Sequence, residues 1–151
     1  MIYPQISDDY TQFLQPSLLE RAAQAALDQQ GITAEPDITI VITGNEEIQA
    51  LNKEYLDNDA PTDVLSFPSD ELDRDTGNRY LGDIIISYPQ AEAQAQTGGH
   101  ALNAEIELLV VHGVLHLLGH DHAEEAQKKE MWTAQAEVLR QLNNPLAPFY
   151  T

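Results

Sequence analysis

The chain has 151 residues, enough for one domain with a buried core and too few for two of ordinary size. It has no cysteine, which excludes disulfides and thiolate ligands and leaves histidine, carboxylate and water for any metal site. Its 25 acidic and 7 basic residues give a formal net charge of −18, and that balance argues against nucleic-acid binding through a broad basic face.

The cations Arg21, Lys53, Arg74, Arg79, Lys128, Lys129 and Arg140 are scattered, so an RNA surface would need the fold to gather them or a metal to screen phosphate. Most of the acidic residues read as a solvated surface. The N-terminal MIYPQISDDY has neither a basic segment nor a long apolar run, and no stretch reaches the length of a membrane span. The expectation is a soluble, unexported, cytoplasmic protein, with residues 1 to 151 forming a single domain.

Residues 2 to 6 are short and mixed and fit an edge strand. A helix follows over residues 17 to 30, with Ser17 and Glu20 at capping-box spacing and Gly31 as its stop. DITIVIT, residues 37 to 43, is β-branched and alternating, which predicts a strand. Asn45 can cap a helix through Leu56, with Ile48, Leu51 and Tyr55 as its apolar stripe.

LDNDAPTD, residues 56 to 63, has turn chemistry and leads into the short strand VLSF, bounded by Pro68. Thr76, Gly77 and Asn78 mark a turn before YLGDIIISY resumes strand character through Tyr88, so the two strands should form a hairpin. A short helix over residues 89 to 97 is broken by Gly98 and Gly99. A strongly apolar helix then spans residues 102 to 118, and a last helix, over residues 123 to 142, precedes a proline-containing tail. This order predicts an α+β fold: one small mixed four-stranded sheet covered by helices, with the apolar helix at its centre.

The chemistry concentrates in VVHGVLHLLGHDH, residues 110 to 122. His112 and His116 are four apart and project from one helical face, with Cβ atoms roughly 5–6 Å apart. Gly119 can end the helix in the left-handed conformation and turn the chain back, so that His122 reaches the same ion. Three ligands with one open position are the arrangement of a catalytic rather than a structural zinc. Two histidines four apart are common by chance. Four of the chain's five histidines within eleven residues, set among apolar neighbours, are not.

Ligand type favours one zinc per chain, although imidazole also suits nickel, copper or iron. The site makes the fold zincin-like, with two metal-binding histidines on the central helix. The spacing also fits the metzincin proteases, H-E-x-x-H-x-x-G-x-x-H, except that Gly113 stands where they carry the Glu that acts as base.

HGVLHLLGHDH resembles the signature of the YbeY family of bacterial endoribonucleases, and LNKEYLDNDAPTDVLSFP and LGDIIIS resemble two further segments of it. The likeness runs from about Thr39 to Trp132. It implies zinc on His112, His116 and His122, a cytoplasmic location, and hydrolysis of single-stranded RNA in ribosomal RNA maturation and ribosome quality control. Ribosomal RNA and the ribosome are then the partners. The family usually has an arginine after the tyrosine of the segment matching Glu54-Tyr55, where this chain has Leu56, which cannot bind phosphate.

Asp121 is the candidate for orienting a ligand or taking a proton, with an N-cap or surface-turn role as the alternative. Asp63 and Asp83 are weaker candidates. His120 is a non-ligand by spacing and should face solvent or substrate, and His100 has no assigned role. Two other functions compete: a zinc hydrolase of the metalloprotease type, and a non-catalytic ribosome-associated protein with a structural metal. A cleft lined by Lys53, Arg74 or Arg79 would favour the nuclease, and a fourth protein ligand would favour the structural site.

Overall fold

The computed structural model describes residues 1–146, so the end of the proline-containing tail lies outside the described residues. Four strands, β1 (Ile2–Ile6), β2 (Asp37–Thr43), β3 (Val64–Pro68) and β4 (Tyr80–Ser87), form one sheet in the order β1-β2-β4-β3. β1, β2 and β4 run parallel, and β3 runs antiparallel to β4 as the expected hairpin, with Leu65 opposite Ile85. The fold is α+β with a mixed sheet.

Strand alternation decides which layer each residue joins. Ile38, Ile40 and Ile42 of β2 and Ile84 and Ile86 of β4 belong to the main core. That core is shared with α1 (Pro16–Gln29), α3 (Tyr88–Gly98), α4 (Leu102–Leu117) and α5 (Glu125–Gln141). Val41, Leu65, Phe67 and Ile85 point the other way and pack with Ile48 and Leu51 of α2 (Asn45–Leu56) in a separate, smaller cluster. Helix α4 has Ile106, Val110, Val111, Val114 and Leu115 with no exposed surface, as expected of a central, mostly apolar helix.

Three local expectations are corrected. Helix α1 begins at Pro16, its cap is Gln15, and no side chain caps it. The fixed φ of a proline at the first helical position starts the helix one residue early and moves Ser17 inside it, so the capping box does not form. Asn45 is the first residue of α2 rather than its cap, which is Gly44. The Asn45 side chain instead accepts a hydrogen bond from Ser87 Oγ at 2.7 Å. Tyr88 opens α3 instead of closing β4, because Ser87 caps that helix by accepting from Gln90 N–H.

Candidate metal centre

Helix α4 carries both helical histidines on one face, while Glu107 points elsewhere, to Arg21 and Asn144. His112 and His116 lie one turn apart and are half-buried, while Gly113 between them turns to the sheet. A Cβ on Gly113 would stand 2.8 Å from Ile84 Cγ2, so this glycine permits the close approach of α4 to β4. A glutamate there would enter the sheet interface rather than the histidine face. The metalloprotease reading therefore loses its base by orientation as well as by residue type.

The end of α4 supplies the third imidazole. Gly119 has φ +101°, its N–H donates to His116 O at 3.0 Å, and His120 N–H donates to Leu115 O at 3.0 Å. These two bonds make a Schellman motif. The chain reverses there, and His122 comes back over the helical pair with its ring centroid 5.3 Å from that of His116 and 5.9 Å from that of His112.

Ring nitrogens of His112, His116 and His122 lie within 4.8 Å of one another. His112 Nε2 and His116 Nε2 are 3.1 Å apart, close to the ~3.3 Å that separates two nitrogens bound tetrahedrally to one zinc. This donor set can hold a metal ion, and among the described residues no fourth side chain joins the group.

Helix α5 orients His112. Gln135, only 1% exposed, accepts from His112 Nδ1–H through its Oε1 at 3.0 Å. That bond places the proton on Nδ1 and leaves the Nε2 lone pair facing the other histidines. The Trp132 ring meets His112 and His122 edge-on, with centroids 6.0 and 5.7 Å away. Burial pushes the pKa of His112 below the usual imidazole value, against the opposing Gln135 hydrogen bond. Burial lowers His116 in the same way. Both rings are thereby held neutral, the form a metal needs.

A cleft of about 540 Å³ opens beside His112. Asp63 lines it, with its carboxylate accepting from Val64 N–H and Gln94 Nε2. His100, which the sequence left without a role, lies there too, 3.0 Å from Glu105. Trp132, Gln135 and Glu105 were missed. For the first two, the only sequence signal is that Lys128, Trp132 and Gln135 share one face of the last helix.

The other expectations divide. Asp121 accepts its neighbour's N–H, from His122, at 2.7 Å and is exposed, which braces the returning turn. Asp83 faces away from α4 and hydrogen-bonds to Tyr80, whose hydroxyl is pushed up to about 12 by burial and by that carboxylate. His120 turns to Gln30 at the end of α1, with Nε2 2.7 Å from Gln30 Oε1, rather than to solvent or the histidines. None of Lys53, Arg74 and Arg79 lines the cleft. Lys53 pairs with Asp59 and Arg79 with Asp70. Lys128 stands over Trp132, its Nζ 5.9 Å from the ring centroid.

Known proteins share this organisation. Residues 5–143 match the family model described as endoribonuclease YbeY. An endoribonuclease YbeY of Heliobacterium modesticaldum is 44% identical over 133 residues, covering 82% of this chain and 80% of its own. One from Acholeplasma laidlawii is 47% identical over 112 residues, covering 74% and 79%. The solution structure of TM1509 from Thermotoga maritima superposes with a TM-score of 0.61 at 26% identity, covering 98% of this chain and 95% of that one. With sequence and fold in agreement over nearly the whole length, the chain belongs to the endoribonuclease YbeY family.

Proposed function

We propose that this chain is a zinc-dependent endoribonuclease that cuts single-stranded RNA in ribosomal RNA maturation and ribosome quality control, and so works in the cytoplasm on or near the ribosome. The observation that carries the reading is the convergence of His112, His116 and His122, with an open cleft beside His112. One zinc per chain, when bound, would supply Lewis-acid polarisation of a phosphate oxygen and a lowered pKa for bound water. The three imidazoles would hold the ion. Gln135 fixes the tautomer of His112, and the Asp121 contact holds the backbone of His122.

Asp121 is the candidate proton acceptor, and Asp63, on the cleft wall, is a second carboxylate near the site. Phosphate contact falls to Lys128 and not to position 56, where Leu56 is 60% exposed and cannot pair with an anion. The acidic surface repels RNA everywhere else, so binding should rest on few contacts and depend weakly on salt.

The deciding assay compares wild type with His112→Ala on single-stranded and structured ribosomal RNA. Wild type should cut the single-stranded substrate, and the variant should fall at least ~100-fold, since a metal centre contributes several kcal/mol to a phosphoryl transition state. Equal cleavage by both proteins would overturn the assignment. Gln135→Ala should keep the fold and weaken zinc binding roughly 10–100-fold, the usual cost of losing the partner that orients a ligand. Competition with a zinc chelator measures it.

The metal-free chain carries a pH signature. The pKa values of His112 and His116 are lowered on folding, so below about 6.5 the unfolded chain takes up protons that the folded chain refuses. Stability is therefore highest above that value and falls as pH drops toward the lowered values. Urea midpoints at pH 7.5 and 5.5 should show the decline in the stripped protein, and His112→Gln should lose part of it.

A further inference from the structure

Beyond the three histidines the cleft continues into a recess that the metal centre does not use. Leu108, Leu109 and the Trp132 indole give it apolar walls, and Gln94, His100 and Glu105 give it polar groups. Glu105 stands on the first turn of α4 and is 4% exposed. Its Oε1 lies 3.0 Å from His100 Nε2, and no other donor reaches the carboxylate among the described residues. No buried side-chain oxygen or nitrogen among them is left both enclosed and unpaired, so the second oxygen of Glu105 is not fully enclosed, and Glu105 lines the recess.

A planar group that carries paired donors fits a recess with an apolar ring on one wall and a carboxylate on another. A carboxylate only accepts hydrogen bonds. Of the four RNA bases, guanine alone offers two adjacent donors on its pairing edge, N1–H and N2–H. Adenine and cytosine set an acceptor nitrogen beside their amino group, and uracil flanks its single N–H with two carbonyl oxygens. An indole face suits any base by stacking, so selectivity falls to Glu105. The cleft volume, about 540 Å³, lies within the roughly 300–1,000 Å³ of small-molecule sites.

We propose that this recess is a nucleobase subsite for guanine, with the base against Trp132 and its donor edge on Glu105, beside the phosphate that approaches the histidines. The placement rests on the RNA-cleaving reading above, and base recognition can be measured apart from it. Trp132 is the only tryptophan of the chain, so its emission reports on the recess directly.

The experiment titrates the zinc-loaded protein with guanosine, adenosine, cytidine and uridine, none of which carries phosphate for the metal. Guanosine should quench Trp132 at about tenfold lower concentration than the others, the discrimination expected of one bidentate base contact. Glu105→Gln should abolish the preference. Because Glu105 is buried and its replacement can disturb α4, a second variant, Thr97→Phe, blocks the rim from an exposed position on α3. It should remove quenching by guanosine while zinc content and helicity stay at wild-type values.

Equal quenching by the four nucleosides, or a guanosine preference that survives both variants, overturns the subsite. RNA cleavage without nucleoside selectivity overturns the subsite and leaves the nuclease standing. Selective guanosine binding without RNA cleavage does the reverse.

Discussion

Purified wild-type protein is expected to carry about one zinc per chain, and His116→Ala almost none. His116 occupies the middle of the donor set: its Nε2 lies 3.1 Å from that of His112, and its ring is the nearer of the two helical imidazoles to His122. Without it, His112 and the exposed His122 remain as two ligands that no helical turn holds together. Losing a partner that merely orients a ligand costs roughly 10–100-fold in affinity, so losing a ligand should cost more than about 100-fold.

The fold should survive, because His116 is half-buried on a long helix and alanine is the best helix former. Metal analysis after gel filtration, with circular dichroism as the folding control, reads both quantities. His120→Ala, which alters a ring facing Gln30, should keep its zinc. Stoichiometric zinc in His116→Ala would remove the three-histidine site.

Gly82→Ala should destabilise the protein by about 3–5 kcal/mol, the largest effect expected of any single methyl group in the chain. Gly82 sits in β4 with φ +140°, opposite Pro68 of β3 and beside the register shift between Asp37 and Ile38. A Cβ there would lie 2.2 Å from Phe67 O and 3.0 Å from Leu117 Cδ2. The first contact is with backbone and cannot be relieved by a rotamer change, and the φ itself is one that an L-residue adopts only under strain.

A domain of this size has roughly 5–15 kcal/mol of stability in all, so the variant would sit close to unfolding at ordinary temperature. Urea denaturation should show a much lower midpoint with an unchanged slope. Gly77→Ala is the matched control. It has φ +76° but nothing within 4 Å of the added Cβ, so it should cost about 1 kcal/mol. Equal effects at the two positions would show that backbone angle alone, and not the close strand contact, explains Gly82.

The elements whose own residues set their period were legible before folding: the β-branched run of β2, the apolar length of α4, and the histidine pair one helical turn apart. Gly119 was legible as well, because a helix end that must reverse needs a residue free to take positive φ. What failed had been settled by side-chain partners that periodicity does not encode, some near in sequence and some far. Asn45 looks like a cap until Ser87, 42 residues later, engages its side chain. Lys53 looks available for phosphate until Asp59 pairs with it.

Gln135, 23 residues beyond His112, became part of the centre only when α5 packed on α4. The position of Asp83 was readable after all, since two-residue alternation from Ile84 and Ile86 puts it on the face opposite α4. The family resemblance supplied the RNA substrate, which neither charge nor periodicity could have supplied.

The reversal at Gly119 divides the centre into two kinetic parts. His112 and His116 ride on a buried helix one turn apart, whereas His122 stands exposed on the returning turn. An ion, when bound, would be held by two ligands on the helix and by a third on the returning turn. Exchange lifetime then becomes a property of residues 119–124, adjustable by substitutions that leave the core and the fold untouched.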